Sequence, residues 1–208
     1  MWKILIFLCL MILANPIYAD DHNTKEISLF NGQDLTNWHI TDFGTQGQVR
    51  VENGKLVLGM GDGATGVTWD GDFEFPTMDY EVTLKAMRVS GNDFFCGMTF
   101  PVNENHLTLV VGGWSGTVVG LSCLDGYDAS ENETATSKSF QKNRWYDIRL
   151  RVADNIVQVW IDGREMIYSD TADRELSLRP EVLLSRPFGI ASWFTTAALK
   201  DIELRVLE

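Results

Sequence analysis

The chain has 208 residues, with 17 Lys and Arg against 29 Asp and Glu, a formal net charge of −12 at pH 7. Such an acidic balance argues against nucleic acid and anionic membrane as partners, since both are recognised through basic patches. It is compatible with neutral ligands such as sugars and with cations, and 45% hydrophobic with 22% charged residues is the composition of an ordinary globular protein.

The N-terminus reads as a targeting segment. Met1 to Lys3 is basic, Ile4 to Ala14 is apolar, Asn15-Pro16 breaks the run, and Ala19 precedes Asp20. This predicts a secretory signal peptide over 1–19, cut after Ala19. The apolar run falls short of the ~20 residues a spanning helix needs. The mature chain is expected to be exported, to the periplasm, cell surface or medium, with no membrane span. Residues 20–26 are expected to be a flexible polar leader, and 27–208 a single domain.

The domain opens with a short strand at Ile27 and a turn at Asn31-Gly32, and Gln33 to Trp38 follows as a turn or one helical turn. Gln48 to Glu52 and Lys55 to Gly59 alternate around Asn53-Gly54, the signature of a hairpin with a type I′ turn. Gly59 to Gly66 reads as a flexible glycine-rich loop, and Gly66 to Trp69 as a strand. Asp79 to Arg88 alternates Tyr80, Val82, Leu84 and Ala86 with polar residues, as a half-buried antiparallel strand does. Then come three apolar runs, Asp93 to Pro101, His106 to Trp114 and Gly116 to Leu124, read as consecutive strands in the best-buried part of the fold. An acidic loop, Asp125 to Glu133, follows them.

Trp145 to Val152, Asn155 to Asp162 and Arg164 to Tyr168 are further strands, the last two joined by a turn at Asp162-Gly163. Residues 170–186 are polar and hold the only expected helical turn. Phe188 to Phe194 and Ala198 to Leu207 complete the set. Many short strands with regular turn signals and no helical period predict an all-β, two-sheet antiparallel sandwich. Beyond the leader, Cys96 and Cys123 remain, either as buried free thiols or as a disulfide that export would permit.

Several chemistries are excluded. Trp114-Ser115-Gly116 lacks the spacing of a nucleophile elbow. There is no phosphate-binding glycine loop and no EF-hand spacing. The Glu-x-Asp-x-x-Glu strand of sandwich-fold glucanases is missing, which argues against two-carboxylate hydrolysis. His106 is the one histidine in the central pattern and a candidate general base, if Asp93, Asp125 or Asp128 reaches it; a structural histidine is the alternative. Trp69, Trp114 and Trp193 are candidate stacking surfaces for a sugar ring, or core residues. Arg186 could clamp a carboxylate or a sugar hydroxyl, or pair with an acid. Asp125, Asp128, Glu131 and Glu133 could bind a divalent cation through oxygen ligands, or form a solvated loop. Asn132-Glu133-Thr134 is a glycosylation sequon if the host is eukaryotic.

Leu29-Phe-Asn-Gly-Gln-Asp-Leu-Thr-Asn-Trp38 resembles the opening "LFNGKDLSGW" of the exported 3-keto-glycoside hydrolase family, also described as the 3-keto-glucoside lyase and hydratase domain. Trp145 to Arg149 resembles its "W-x-x-Y-x-I" strand, Val159 to Gly163 its "W-x-N-G" hairpin, and Leu199 to Arg205 its closing strand. The resemblance covers nearly all of the mature chain. It implies a concanavalin A-like jelly roll whose concave sheet receives carbohydrate. It also implies action on a glycoside already oxidised at C3, where a base removes the C2 hydrogen, the C1 substituent leaves and water adds. That chemistry needs a base, and a metal ion or cationic side chain to polarise the ketone. Many members carry a Glu in a "Y-E-V-Q-I" strand at mid-domain. Here that region is His106 to Trp114 and has no acid.

The reading that follows has His106 as base, Asp93 or Asp125 orienting it, and Trp114 and Trp193 as the sugar platform. Trp69 and Arg186 are further binding candidates. Its rivals are a non-catalytic carbohydrate-binding or adhesion module, and a structural surface domain.

Overall fold

A computed structural model describes residues 25–207, and the expected signal peptide over 1–19 lies outside them. The described chain begins with β1 (Lys25–Ser28) and β2 (Trp38–Ile40). A hairpin of β3 (Val49–Glu52) and β4 (Lys55–Leu58) follows, turned by Asn53 and Gly54 at φ of 51° and 74°. That pair of left-handed values is what a two-residue type I′ turn requires. Next come β5 (Ala64–Trp69), the long β6 (Tyr80–Gly91), β7 (Cys96–Val102), β8 (Asn105–Gly113), β9 (Val118–Ser122) and the two-residue β10 (Thr136–Ser137). Strands β11 (Trp145–Ala153), β12 (Ile156–Ile161) and β13 (Arg164–Asp170) form a meander, with Asp162-Gly163 turning the last pair at φ of 53° and 76°. A 3-10 helix over Pro180–Ser185, β14 (Gly189–Trp193) and β15 (Thr195–Val206) close the chain.

The strands form two antiparallel sheets, as the alternation predicts. One runs β13-β12-β11-β6-β15-β4-β3, with β1 also paired to β15; the other runs β10-β9-β8-β7-β14-β5-β2. Alternate residues of facing strands fill the space between them. In the β7–β8 pair, Cys96 lies opposite Val111, Met98 opposite Leu109 and Phe100 opposite Leu107, all buried in the shared core. The intervening Thr99 and Thr108 point the other way and share a hydroxyl hydrogen bond of 3.0 Å. Burying this apolar set, at about 25 cal/mol per Å² of area removed from water, is the main driving force for the fold.

The outward face of the second sheet is covered by polypeptide. Here β9 and β14 carry glycines because backbone lies directly on them. A Cβ at Gly120 would come within 2.4 Å of the Ala129 carbonyl oxygen, and one at Gly189 within 2.8 Å of Ser185. Loop 123–135 and segment 171–186 therefore form a partial third layer. They are stitched together by Cys123 and Ser177, which exchange N–H···O bonds of 2.9 and 3.2 Å, and by Asp125 N–H to Glu175 O at 2.8 Å.

Some expectations are corrected. Gln33 to Trp38 is a turn and not a helical one, closed by the Trp38 N–H to Leu35 O at 2.9 Å, and Trp38 then opens β2 opposite Trp69. The glycine-rich loop is shorter than expected, since Ala64 and Thr65 are buried in β5 against β14. Strand β1 begins at Lys25, where pairing with Val206 fixes it. Cys96 and Cys123 are free and buried. The register explains why: Cys96 is level with Val111, and Val111 with Val119, which leaves Cys123 four residues further along the chain, just past the end of β9. Burial pushes the Cys96 thiol up to about 12, so it is an inert core residue. Gly120→Ala is expected to cost about 1–3 kcal/mol by overpacking the loop against β9. Urea unfolding should read this as a lower midpoint with an unchanged slope.

Candidate functional site

A cavity of about 230 Å³ opens between the outward face of the second sheet and the layer covering it. Its floor is Thr108 and Val110 of β8 and Ser122 of β9, the residues that alternate with core Leu107, Leu109, Val111 and Leu121. One wall is aromatic. Phe94 and Trp193 lie nearly parallel at 6.3 Å and 26°, and the Trp193 N–H donates to Phe94 O at 3.0 Å. Trp114 forms another part of the rim and is 40% exposed. Asp93 stands beside these rings, and Arg179, Glu181 and Val182 enter from the 171–186 segment.

The polar groups are arranged as a chain. Arg179 donates from Nε and Nη2 to the two Glu181 oxygens at 3.3 and 3.1 Å, and from Nη1 to Asp128. Three of the five N–H donors a guanidinium carries are thus engaged, and the Arg179 cation holds the Glu181 carboxyl below its ordinary value. Asp128 Oδ1 also accepts from Ser122 Oγ at 3.2 Å and from the Cys123 thiol at 3.3 Å. Asp93 uses Oδ1 to accept the Phe94 N–H at 2.8 Å.

The rim depends on Arg88, which is 5% exposed. Its Nη2 lies 3.1, 3.0 and 3.0 Å from the carbonyls of Asp93, Gly112 and Gly116, and its guanidinium lies over the rings of Phe95 and Phe140 at 5.1 and 5.9 Å. In the β8–β9 turn that it holds, four of the five residues 112–116 are left-handed: Gly112, Trp114, Ser115 and Gly116 have φ of 80°, 45°, 66° and 102°. Left-handed backbone is uncommon for bulky side chains, so the clamp compensates for the conformation that presents Trp114.

The sequence candidates divide. Asp93, Trp114 and Trp193 meet at the cavity. His106 is not part of its lining; it sits half-buried near Arg186 and Pro187. Burial first, and then the Arg186 cation, push its pKa below the ordinary 6.5, while a backbone hydrogen bond with Pro187 pulls the other way. Its Nε2 is buried without a partner. Among the described residues, the histidine paired with a carboxylate is His39, 3.8 Å from Asp70; neither Asp93 nor Asp125 forms such a pair with His106.

Trp69 belongs to the core. It is 4% exposed and packs edge-on against Trp38 at 5.4 Å, because the β5 alternation turns Val67 and Trp69 inward and Thr68 outward. Arg186 is exposed and donates to Leu183 O at 3.1 Å, away from the cavity lining. Asp125 and Glu133 share Arg174, each 2.6 Å from it, Asp128 is paired with Arg179, and Glu131 stays in the loop. Three of those acids are thus paired with arginines, and no group of three or more His, Cys, Asp or Glu among the described residues is placed to hold a metal ion. The sequon residue Asn132 is also engaged, since its amide donates to the carbonyls of Leu121, Tyr127 and Asp128.

Sequence reasoning missed Arg179, Glu181 and Ser122. The available signal was an Arg-Pro-Glu run at 179–181 inside a segment read only as polar connection.

Two antiparallel sheets with a small aromatic-walled cavity on one outward face define a β-sandwich of the jelly-roll type. The sequence profile of the 3-keto-alpha-glucoside-1,2-lyase-like domain matches residues 25–205, and the chain belongs to that glycosyl hydrolase-like family. No curated protein sequence matches it. Solved structures share the fold at low identity. A Bacillus subtilis protein of unknown function with a galectin-like fold aligns at a TM-score of 0.59 and 12% identity, over 88% of this chain and 96% of that one. A candidate glycosyl hydrolase from Parabacteroides distasonis aligns at 0.58 and 14%, over 88% and 94%. The carbohydrate-binding module CBM66 from Bacillus subtilis aligns at 0.53 and 14%, over 80% and 94%.

Two outcomes are expected from this geometry. Arg88→Met leaves three inward carbonyls without their donor and should lower stability by about 3 kcal/mol or more, with loss of near-UV circular dichroism from Trp114. The second concerns pH. Asp125 is held below its ordinary 3.8 by the Glu175 N–H and then Arg174, and Glu133 below its ordinary 4.5 chiefly by Arg174. Groups with depressed folded values add stability that is complete above the ordinary values and lost as pH falls through the depressed ones. Proteolysis of the 171–186 segment by an acid protease should therefore rise as pH falls below about 4, and Arg174→Gln should weaken that pH dependence, leaving the part that the Glu175 N–H imposes on Asp125.

Proposed function

We propose that the cavity binds the glycosyl unit of a 3-keto-glycoside and that the protein cleaves it by elimination followed by hydration. The observation that carries this reading is the meeting of Asp93, Arg179 and three aromatic side chains around one small cavity, in a chain of the 3-keto-alpha-glucoside-1,2-lyase-like family. At about 230 Å³ the space is below the ~300–1,000 Å³ of sites for larger ligands, which suits a single sugar ring. Trp114 and the Phe94–Trp193 pair offer the flat apolar faces against which such a ring stacks.

In this reading Asp93 is the base. Its Oδ1 is oriented by the Phe94 N–H, and its carboxylate takes the C2 hydrogen made acidic by the C3 ketone. The electron pair forms the C1–C2 double bond, the C1–O bond breaks, and the departing oxygen takes up the proton that Asp93 received. Water then adds across that double bond, its hydroxyl to C1 and its proton to C2, to give the free 3-keto sugar. Arg179, with N–H donors beyond those given to Asp128 and Glu181, polarises the ketone, the role a cationic side chain can take in place of a metal. His106 lacks both an acid partner and a place in the lining, so the base role proposed for it from sequence passes to Asp93. Residues 1–19 are proposed to direct export, with Asp20 as the first residue of the secreted product, which N-terminal sequencing would read.

The apolar wall also favours a second reading, a recognition module that holds sugar without cleaving it. Release of aglycone from a 3-keto-glucoside separates the two. Asp93→Asn keeps the acceptor for the Phe94 N–H and is expected to lower kcat by about 10²–10⁴-fold, the range for a lost general base. His106→Ala should leave kcat within about threefold, being remote from the proton transfer. Turnover undiminished in Asp93→Asn would remove Asp93 from the mechanism. Glucoside binding with no turnover in the unmodified protein would establish the module.

A further inference from the structure

Beyond the cavity lining, the aromatic surface continues. Phe194 follows Trp193 directly, is 46% exposed, and meets the Trp193 ring edge-on at 5.3 Å and 89°. Its φ is 42°, in the left-handed region where a bulky side chain is a genuine outlier. Strain of this kind persists where surrounding structure imposes it, and it clusters at ligand sites. The surroundings here are specific. The Phe194 N–H donates to Gly63 O at 3.2 Å, and Gly91 leaves room for the Phe194 carbonyl, which a Cβ there would approach to 2.5 Å. The backbone is held so that a large apolar ring stands in solvent, contributing little to the core.

We propose that Phe194 forms a second subsite, outside the sugar cavity, for a flat apolar aglycone, so that the protein acts on aryl glycosides in preference to disaccharides. This rests on the cavity being the glycosyl site. A second sugar would need free donors and acceptors around the ring, but of the hydroxyls flanking Phe194 that of Thr195 is fully buried and that of Thr196 already accepts a backbone bond, which leaves one O–H donor there. Thr195 Oγ1 accepts from the Asp93 N–H and Thr196 Oγ1 from the Met60 N–H, both at 3.1 Å. Met60, on the segment running beside residues 194–196, is itself 47% exposed and adds apolar surface. A phenolic ring leaving C1 of a sugar held against Trp193 would meet Phe194, whose ring is 46% exposed and so open to an aromatic partner.

Calorimetric titration of the mature protein with phenyl and methyl α-glucosides tests this without requiring turnover. The phenyl glucoside should bind about five to ten times more tightly, the scale of one aromatic contact. Phe194→Ala should remove that advantage and leave methyl glucoside affinity within about twofold. Phe194→Gly should do the same and raise Tm, because glycine relieves the left-handed strain. Equal affinity for the two glucosides, an advantage that survives Phe194→Ala, or tighter binding of maltose than of phenyl glucoside would overturn the aryl subsite while leaving the glycosyl site standing. Failure of every glucoside to bind, with the 3-keto-glucosides titrated into the slow Asp93→Asn variant included, would overturn the cavity assignment itself, and the subsite with it.

Discussion

One buried cation organises the functional end of this molecule. Arg88 brings a guanidinium into the sandwich at 5% exposure and contacts the carbonyls of Asp93, Gly112 and Gly116 through a single nitrogen. A buried charge without such partners would cost several kcal/mol. The carbonyls would in turn be unsatisfied without the cation. The two requirements meet at one point, and that point ties the β6–β7 turn bearing Asp93 to the β8–β9 turn bearing Trp114. The cavity rim is thus set by a cation that never reaches its surface.

The second organising feature is the layer over the outward face of the β10-to-β2 sheet. It rests on glycines, so its distance from the strands is short, and it is held by arginine–carboxylate pairs at its edges. Arg174 joins Asp125 to Glu133, and Arg179 joins Asp128 to Glu181. The acidic loop that might have gathered a cation instead receives the covering segment. At partly exposed sites each such pair adds little stability. Their geometric effect is larger, because they place Arg179 and Glu181 over Ser122 and Thr108.

Aromatic residues serve two separate ends here. Trp38, Trp69, Phe75 and Phe188 pack the interior in edge-on and stacked pairs, while Phe94, Trp114, Trp193 and Phe194 face outward at one end of the sheet. Local alternation separates the groups: Trp69 and Phe188 lie in phase with core residues, whereas Trp193 is one step out of phase with Ile190 and follows the buried Ser192. The left-handed backbone at Trp114 and Phe194 marks the exposed pair as positions where presentation of a ring overrides backbone preference.

Alternation of apolar and polar residues, with Asn-Gly and Asp-Gly at the reversals, was enough to read an all-β sandwich from the sequence, because strand period and turn chemistry are local properties. The opening motif from Leu29 to Trp38 was likewise enough to read the family. Asp93, Trp114 and Trp193 could be singled out as residues of the right chemistry near strand ends. Tertiary structure decided which of them share a cavity. His106 lies in the same strand as Thr108 and Val110, but the 171–186 segment lies across the sheet and places Arg186 beside it, with Arg179 and Glu181 at the cavity instead. That segment has no hydrophobic period, and its position comes from pairing with residues 50 positions away in the chain, as in Glu175 with Asp125. Contacts of such separation depend on how two sheets and a covering layer close on one another, and no local pattern encodes them.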